Sequence, residues 1–84
     1  MRKLFRKNNT KLRCPCCNYK TLKEFGNYDI CPVCFWEDDG VVDLDIISGP
    51  NHISLRQAQR NFMMFGGCDE HALSFVRKPK ANEY

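Results

Sequence analysis

Two Cys-Pro-x-Cys tetrads, Cys14-Pro15-Cys16-Cys17 and Cys31-Pro32-Val33-Cys34, constrain this chain more than anything else in it. Two residues between paired cysteines let a tight turn aim both sulfurs at one point, with the turn's amides facing the thiolates. Proline after the first cysteine presets the backbone for that turn. Residues 18–30 separate the pairs, a gap slightly shorter than is usual between the two halves of a zinc ribbon. Two such knuckles complete a tetrahedral cage, so Cys14, Cys17, Cys31 and Cys34 are the expected metal ligands. One structural Zn2+ is the expected occupant, and iron in the same cage is the alternative. Four cysteine ligands leave no open position for water, which argues against hydrolysis at this metal.

The length makes such a staple necessary. Eighty-four residues form one domain whose core alone leaves it near the margin of stability. A structural zinc contributes on the order of 10–16 kcal/mol of binding free energy to folding in comparable peptides. The six cysteines could instead form disulfides, and compartment decides. No secretory signal follows the basic start, and no segment reaches the roughly 20 apolar residues that span a bilayer. A cytoplasmic protein with reduced thiols and no membrane partner is therefore expected.

Charge is unevenly spread. Residues 1–20 carry Arg2, Lys3, Arg6, Lys7, Lys11, Arg13 and Lys20 with no acid among them, whereas residues 37–45 hold Glu37, Asp38, Asp39, Asp43 and Asp45. The formal net charge is +3, and zinc on four thiolates lowers it to about +1. We divide the chain into a basic arm, residues 1–12, and a single zinc-binding domain, residues 13–84. The arm cations Arg2, Lys3, Arg6, Lys7, Lys11 and Arg13 are candidates for a nucleic-acid backbone. Glu37-Asp38-Asp39 reads as a solvated acidic loop.

Within the domain, Tyr19–Leu22 and Tyr28–Ile30 read as strands of a hairpin turning at Phe25-Gly26-Asn27. Val41–Ile47 alternates in the manner of a strand, with Val42, Leu44 and Ile46 on one face. Ser54 and Gln57 form a capping box at the start of a helix that Gly66-Gly67 stops. Leu55, Ala58, Phe62 and Phe65 lie on its apolar stripe, with Met63 nearby. Cys68–Phe75 suggests a further short helical turn, and residues 76–79 an extended end. The fold class is thus a small α+β metal-stabilised domain: zinc-ribbon or rubredoxin-like knuckles, a short antiparallel sheet and one amphipathic helix.

The remaining reactive side chains have ordinary readings. Cys16 fits as a small side chain beside the metal, with a redox or nucleophilic role as the sharper alternative. Cys68 and His71 would share a helical face, and with His52 they could begin a second metal site; a buried thiol and a surface imidazole is the simpler account. Phe35 and Trp36 are expected to pack over the first site rather than to stack on bases.

Cys14-Pro15-Cys16-Cys17, the run from Tyr28 to Asp39 through Cys31-Pro32-Val33-Cys34-Phe35-Trp36-Glu37-Asp38, and Asn51, Ser54-Leu55, Ala58, Asn61-Phe62, Phe65-Gly66, Cys68-Asp69-Glu70 and Val76-Arg77-Pro79 together resemble the bacterial cysteine-rich CPCC family. The resemblance spans about residues 13–79. It implies a small bacterial or phage-encoded zinc-binding domain, without an assigned reaction. It gives Cys16 and Cys68 a shared structural role and makes the acidic run a used surface, while His71 has no match. The functions weighed are an interaction module engaging a protein partner (a regulator, inhibitor or immunity-type role), a nucleic-acid-binding ribbon, and a thiol redox protein or enzyme using Cys16. The first is preferred, and no catalytic residue is assigned.

Overall fold

The structure is a computed structural model and describes residues 11–84. Most of the basic arm therefore lies outside the described residues. Its last two positions do not: Lys11 precedes strand β1, Leu12–Arg13, and Leu12 packs against the core.

The first knuckle joins β1 to β2, Lys20–Leu22, in an antiparallel pair with Leu12 opposite Leu22 and Arg13 opposite Lys20. Thr21 is left without an opposite residue, so a bulge interrupts the ladder. The bulge also explains why consecutive residues Thr21 and Leu22 are both buried, which a regular strand with alternating faces does not allow. The expected hairpin between Tyr19–Leu22 and Tyr28–Ile30 does not form. Instead Ile30 bridges Glu37 across the second knuckle, and Tyr28 and Asp38 continue that pairing: Tyr28 N donates to Asp38 O, and Asp38 N to Asp29 O. Each knuckle thus closes its own small antiparallel ladder.

Val41–Ile47 is not a strand either. Asp39 and Asp43 each accept the backbone N–H two residues on, from Val41 and Asp45, at 3.0 Å. These local turns take amides that a ladder would need, which is the usual reason aspartate is poor in strands. Only Ile47 makes a bridge, to Ser54. Leu44 alone of the apolar set packs on the core, while Val42, Ile46 and Ile47 are exposed.

Helix α1, Leu55–Phe65, forms where its caps place it. Ser54 Oγ accepts from Gln57 N, and Gly66, at φ 92°, closes the C-terminus in the left-handed conformation that glycine adopts without strain. The capping box is only half made, because the Gln57 amide turns forward to Asn61 Oδ1. Leu55 and Ala58 are buried and Phe62 is partly so, but Met63 points outward, not toward the stripe. A 3₁₀ turn, Glu70–Ser74, follows, capped by Asp69 Oδ1 on Ala72 N. Residues 76–79 carry no ladder, though Arg77 N donates to Pro32 O, and a second 3₁₀ turn spans Ala81–Glu83. No helix among the described residues is long and apolar enough to cross a membrane.

Candidate metal centre

The two knuckles are copies of one backbone design. In the first, Cys14 N donates to Tyr19 O and Asn18 N to Cys14 O; in the second, Cys31 N donates to Trp36 O and Phe35 N to Cys31 O. The residue after the second cysteine is left-handed in both, Asn18 at φ 69° and Phe35 at φ 72°. Asparagine tolerates that region, whereas a bulky phenylalanine is strained there. The Phe35 ring is held by stacking on Phe75, with centroids 5.0 Å apart.

This geometry brings Cys14, Cys17, Cys31 and Cys34 together. Their sulfurs all lie within 4.8 Å of one another, and all four residues are buried. Cys14 and Cys34 sulfurs are 3.6 Å apart and those of Cys17 and Cys31 3.7 Å. A tetrahedron with metal–sulfur bonds of about 2.3 Å has edges of about 3.8 Å. A disulfide would need about 2.05 Å, and all six cysteines are free thiols. The four sulfurs therefore fit a tetrahedral metal ion and do not fit crosslinking.

Thiol electrostatics point the same way. Cys31 is held far below its usual pKa by hydrogen bonds from Cys14 first, then Cys17, Cys34 and Thr21. Cys14 is pushed up, first by its bond to Cys17, and Cys34 first by its bond to Cys14. Cys17 also rises, its lowering contact with Cys14 outweighed by Cys31, Cys34 and burial. Four thiolates at this spacing would repel one another, and a cation seated among them offsets that repulsion. The outer contacts favour charge on Cys31 in particular. The bulge at Thr21 aims its hydroxyl at Cys31 Sγ, 3.1 Å away, and Val33 N donates to the same sulfur at 3.4 Å. Sequence reasoning missed Thr21, since nothing in the residue string marks a bulge.

The walls of the site come from the rest of the chain. Trp36 is almost fully buried, as expected, with an indole N–H that finds no partner among the described residues. Gln59 on α1 donates to Pro15 O, and Cys68 N donates to Cys34 O, so helix and tail clamp one knuckle each. Cys16 is buried beside the site but is not among the four gathered sulfurs, and no basic side chain hydrogen-bonds to it among the described residues. Cys68 is buried too, and burial first, then the charges of Asp69 and Cys16, pushes its thiol up to about 12. It is a protonated packing residue at neutral pH. Cys68, His71, His52, Glu37 and Asp69 do line one cleft. Their ligand atoms do not converge: among the described residues, Cys14, Cys17, Cys31 and Cys34 are the one group placed to share an ion.

The acidic run is not the solvated loop expected of it. Asp38 is buried, and its carboxylate accepts from Gly26 N at 2.6 Å and Gly40 N at 3.2 Å. Asp39 accepts from the Ser48 hydroxyl, and Asn51 matches the Glu37 backbone with both amide atoms. These residues brace the second knuckle from outside.

Of the cations expected to meet nucleic acid, Arg2, Lys3, Arg6 and Lys7 lie outside the described residues. The Arg13 guanidinium is turned onto Asn18 O and Tyr84 O, while Lys11 borders an open groove.

Fold and site together define a small domain built on paired cysteine knuckles around a cage suited to a metal ion. The chain belongs to the cysteine-rich CPCC family, whose pattern matches residues 12–83. No curated protein matches the sequence.

Proposed function

We propose that this protein is a zinc-stabilised interaction module of the cytoplasm, in which one structural Zn2+ on Cys14, Cys17, Cys31 and Cys34 holds a surface that engages a protein partner. The exposed face of α1 carries this reading. Met63 and Met64 are 84% and 71% exposed on a capped helix anchored to the first knuckle. With Arg56, Gln57, Gln59 and Arg60 they line a shallow groove of about 490 Å³. Methionine is the side chain best able to repack against a partner, and here two adjacent ones stand largely exposed. Arg56 is engaged by Asp45, but Arg60 makes no salt bridge among the described residues and acts on Asp45 only at a distance. The fitting occupant is a protein segment apolar at its centre and acidic at its edge. The acidic run contributes less to this surface than its sequence suggests, because Asp38 and Asp39 are spent on backbone and Ser48.

A closed thiolate cage and a buried Cys16 with no basic hydrogen-bond partner among the described residues favour binding over catalysis. Native mass spectrometry of the reduced protein tests the metal: one zinc per chain, with loss of the fold on chelation, is expected. Iron or an apo but folded chain would refute the zinc assignment. A photo-crosslinking residue at position 63 tests the surface in cells. We expect a crosslinked protein that disappears in Met64→Asp and persists when the arm cations are neutralised. A crosslink indifferent to Met64→Asp, or none, would refute the helix-face reading.

A further inference from the structure

We propose that the groove between β2 and the C-terminal 3₁₀ turn is a phosphate-binding site, independent of the helix-face surface. The groove has a volume of about 540 Å³ and is bordered by Lys11, Lys20, Arg77 and Lys80. Its one carboxylate is already committed. Glu83 receives two bonds from Arg77, each 2.8 Å, and a third from Lys80 N at 2.7 Å. The Arg77–Glu83 pair is therefore neutral as a unit, and Lys11, Lys20 and Lys80 remain as three ammonium groups with no salt bridge among the described residues, Lys80 acting on Glu83 only at a distance. Like charges drawn around one concavity repel, and a polyvalent anion seated among them relieves that repulsion.

The surrounding groups select phosphate over a carboxylate or an acidic side chain. Three separate point charges suit an anion with several outward oxygens, and among the described residues the one guanidinium that borders the groove, Arg77, is occupied and cannot grip a planar carboxylate. Asn82, exposed on the rim, adds amide donors. The floor is firm: Thr21 is buried with its hydroxyl committed to Cys31, and Glu83 is locked by Arg77. The cavity holds more than one phosphate group, so a diphosphate or a run of phosphodiesters fits its length.

The test uses the full zinc-loaded chain and two probes, inorganic pyrophosphate and a single-stranded oligothymidylate, followed by NMR. Both probes should shift the amides of Lys20, Thr21, Lys80 and Asn82. A response to pyrophosphate and oligonucleotide alike identifies a small-phosphate site; a response to the oligonucleotide alone identifies a strand's phosphodiesters. Either outcome supports the site. Lys20→Gln with Lys80→Gln should weaken binding at least tenfold and make the salt slope for the oligonucleotide shallower by about 1.4, as removal of two lysine–phosphate contacts from a single strand requires. Lys78→Gln, outside the groove, should change neither. Zinc content confirms that the double variant is folded, and the shifts in the unsubstituted chain stand without it. Unmoved groove amides with both probes, or a double variant that binds the oligonucleotide with unchanged affinity and slope, would overturn the assignment.

Discussion

At the scale of single residues, the four gathered cysteines were readable because their chemistry is carried by identity and spacing alone. Phe35 was not. Its place after Cys34 was plain, but its left-handed backbone follows from the knuckle's geometry, in which Phe35 N must reach Cys31 O. Asn18 holds the same place in the first knuckle with the residue type suited to it, so the mismatch is confined to one copy. This makes an inverted prediction. Phe35→Ala loses the stack on Phe75 and keeps the strain, whereas Phe35→Gly loses the stack and removes the strain. Glycine should therefore leave the protein more stable than alanine by about 1 kcal/mol in urea unfolding, against the ordinary preference of the chain for alanine. Equal stabilities, or alanine ahead, would mean the second knuckle is not held left-handed at Phe35. The buried Asp38 was misread for a related reason: three acids in a row look solvated, and only the fold shows that two glycine amides point at one of them.

Among elements, α1 was legible and so was the strand at Lys20–Leu22, whereas strand pairing was not, and the difference is physical. A helix satisfies its own backbone, so a 3.6-residue apolar period with a serine cap and a glycine stop specifies it locally. A strand needs a partner, and the alternation of Val41–Ile47 resembles one without supplying any. Asp39 and Asp43 instead turn that segment, and Gly26 and Gly40 let the two loops beside the second knuckle meet. A Cβ on Gly40 would lie 3.1 Å from Gly26 Cα, at a backbone φ of +81°. Gly40→Ala should cost on the order of 1–3 kcal/mol, because it combines left-handed strain with a tight contact on the Gly26 backbone, which would have to shift. Gly49, with open space around the same added atom, is the control, and Gly49→Ala should change stability by no more than about 0.5 kcal/mol. Chemical denaturation of both variants, at the same metal content, decides; equal midpoints would show that the loops do not touch.

Over the whole molecule, the sequence places seven cations and no acid in its first twenty residues, yet the basic groove is assembled from both ends of the described chain, Lys11 and Lys20 from one and Arg77 and Lys80 from the other. What closes it is the Arg77–Glu83 pair, which ties the C-terminal turn back toward the knuckle through Arg77 N on Pro32 O. No local pattern announces that pair, since charged residues six apart in an irregular segment can point anywhere. Glu83 is only 11% exposed at its side chain and Arg77 38%, so the pair lies between a surface bridge and a buried one. Hydrogen bonds from Arg77 first, and from Lys80 N, hold the Glu83 carboxyl down at about 2, below its ordinary 4.5. A carboxylate lowered on folding contributes stability above its unfolded pKa and loses it as pH falls toward the folded one. Glu83→Gln should therefore cost about 1–2 kcal/mol at pH 7, between the value of an exposed pair and that of a buried charged hydrogen bond. The gap from the unsubstituted protein should stay level down to about pH 4.5 and narrow below it. Acid also strips metal from thiolates, so the two proteins must be compared at matched metal occupancy. A gap that is already absent at pH 7 would mean the C-terminal turn is not held by this pair, and the groove would lose the wall that Glu83 and Arg77 give it.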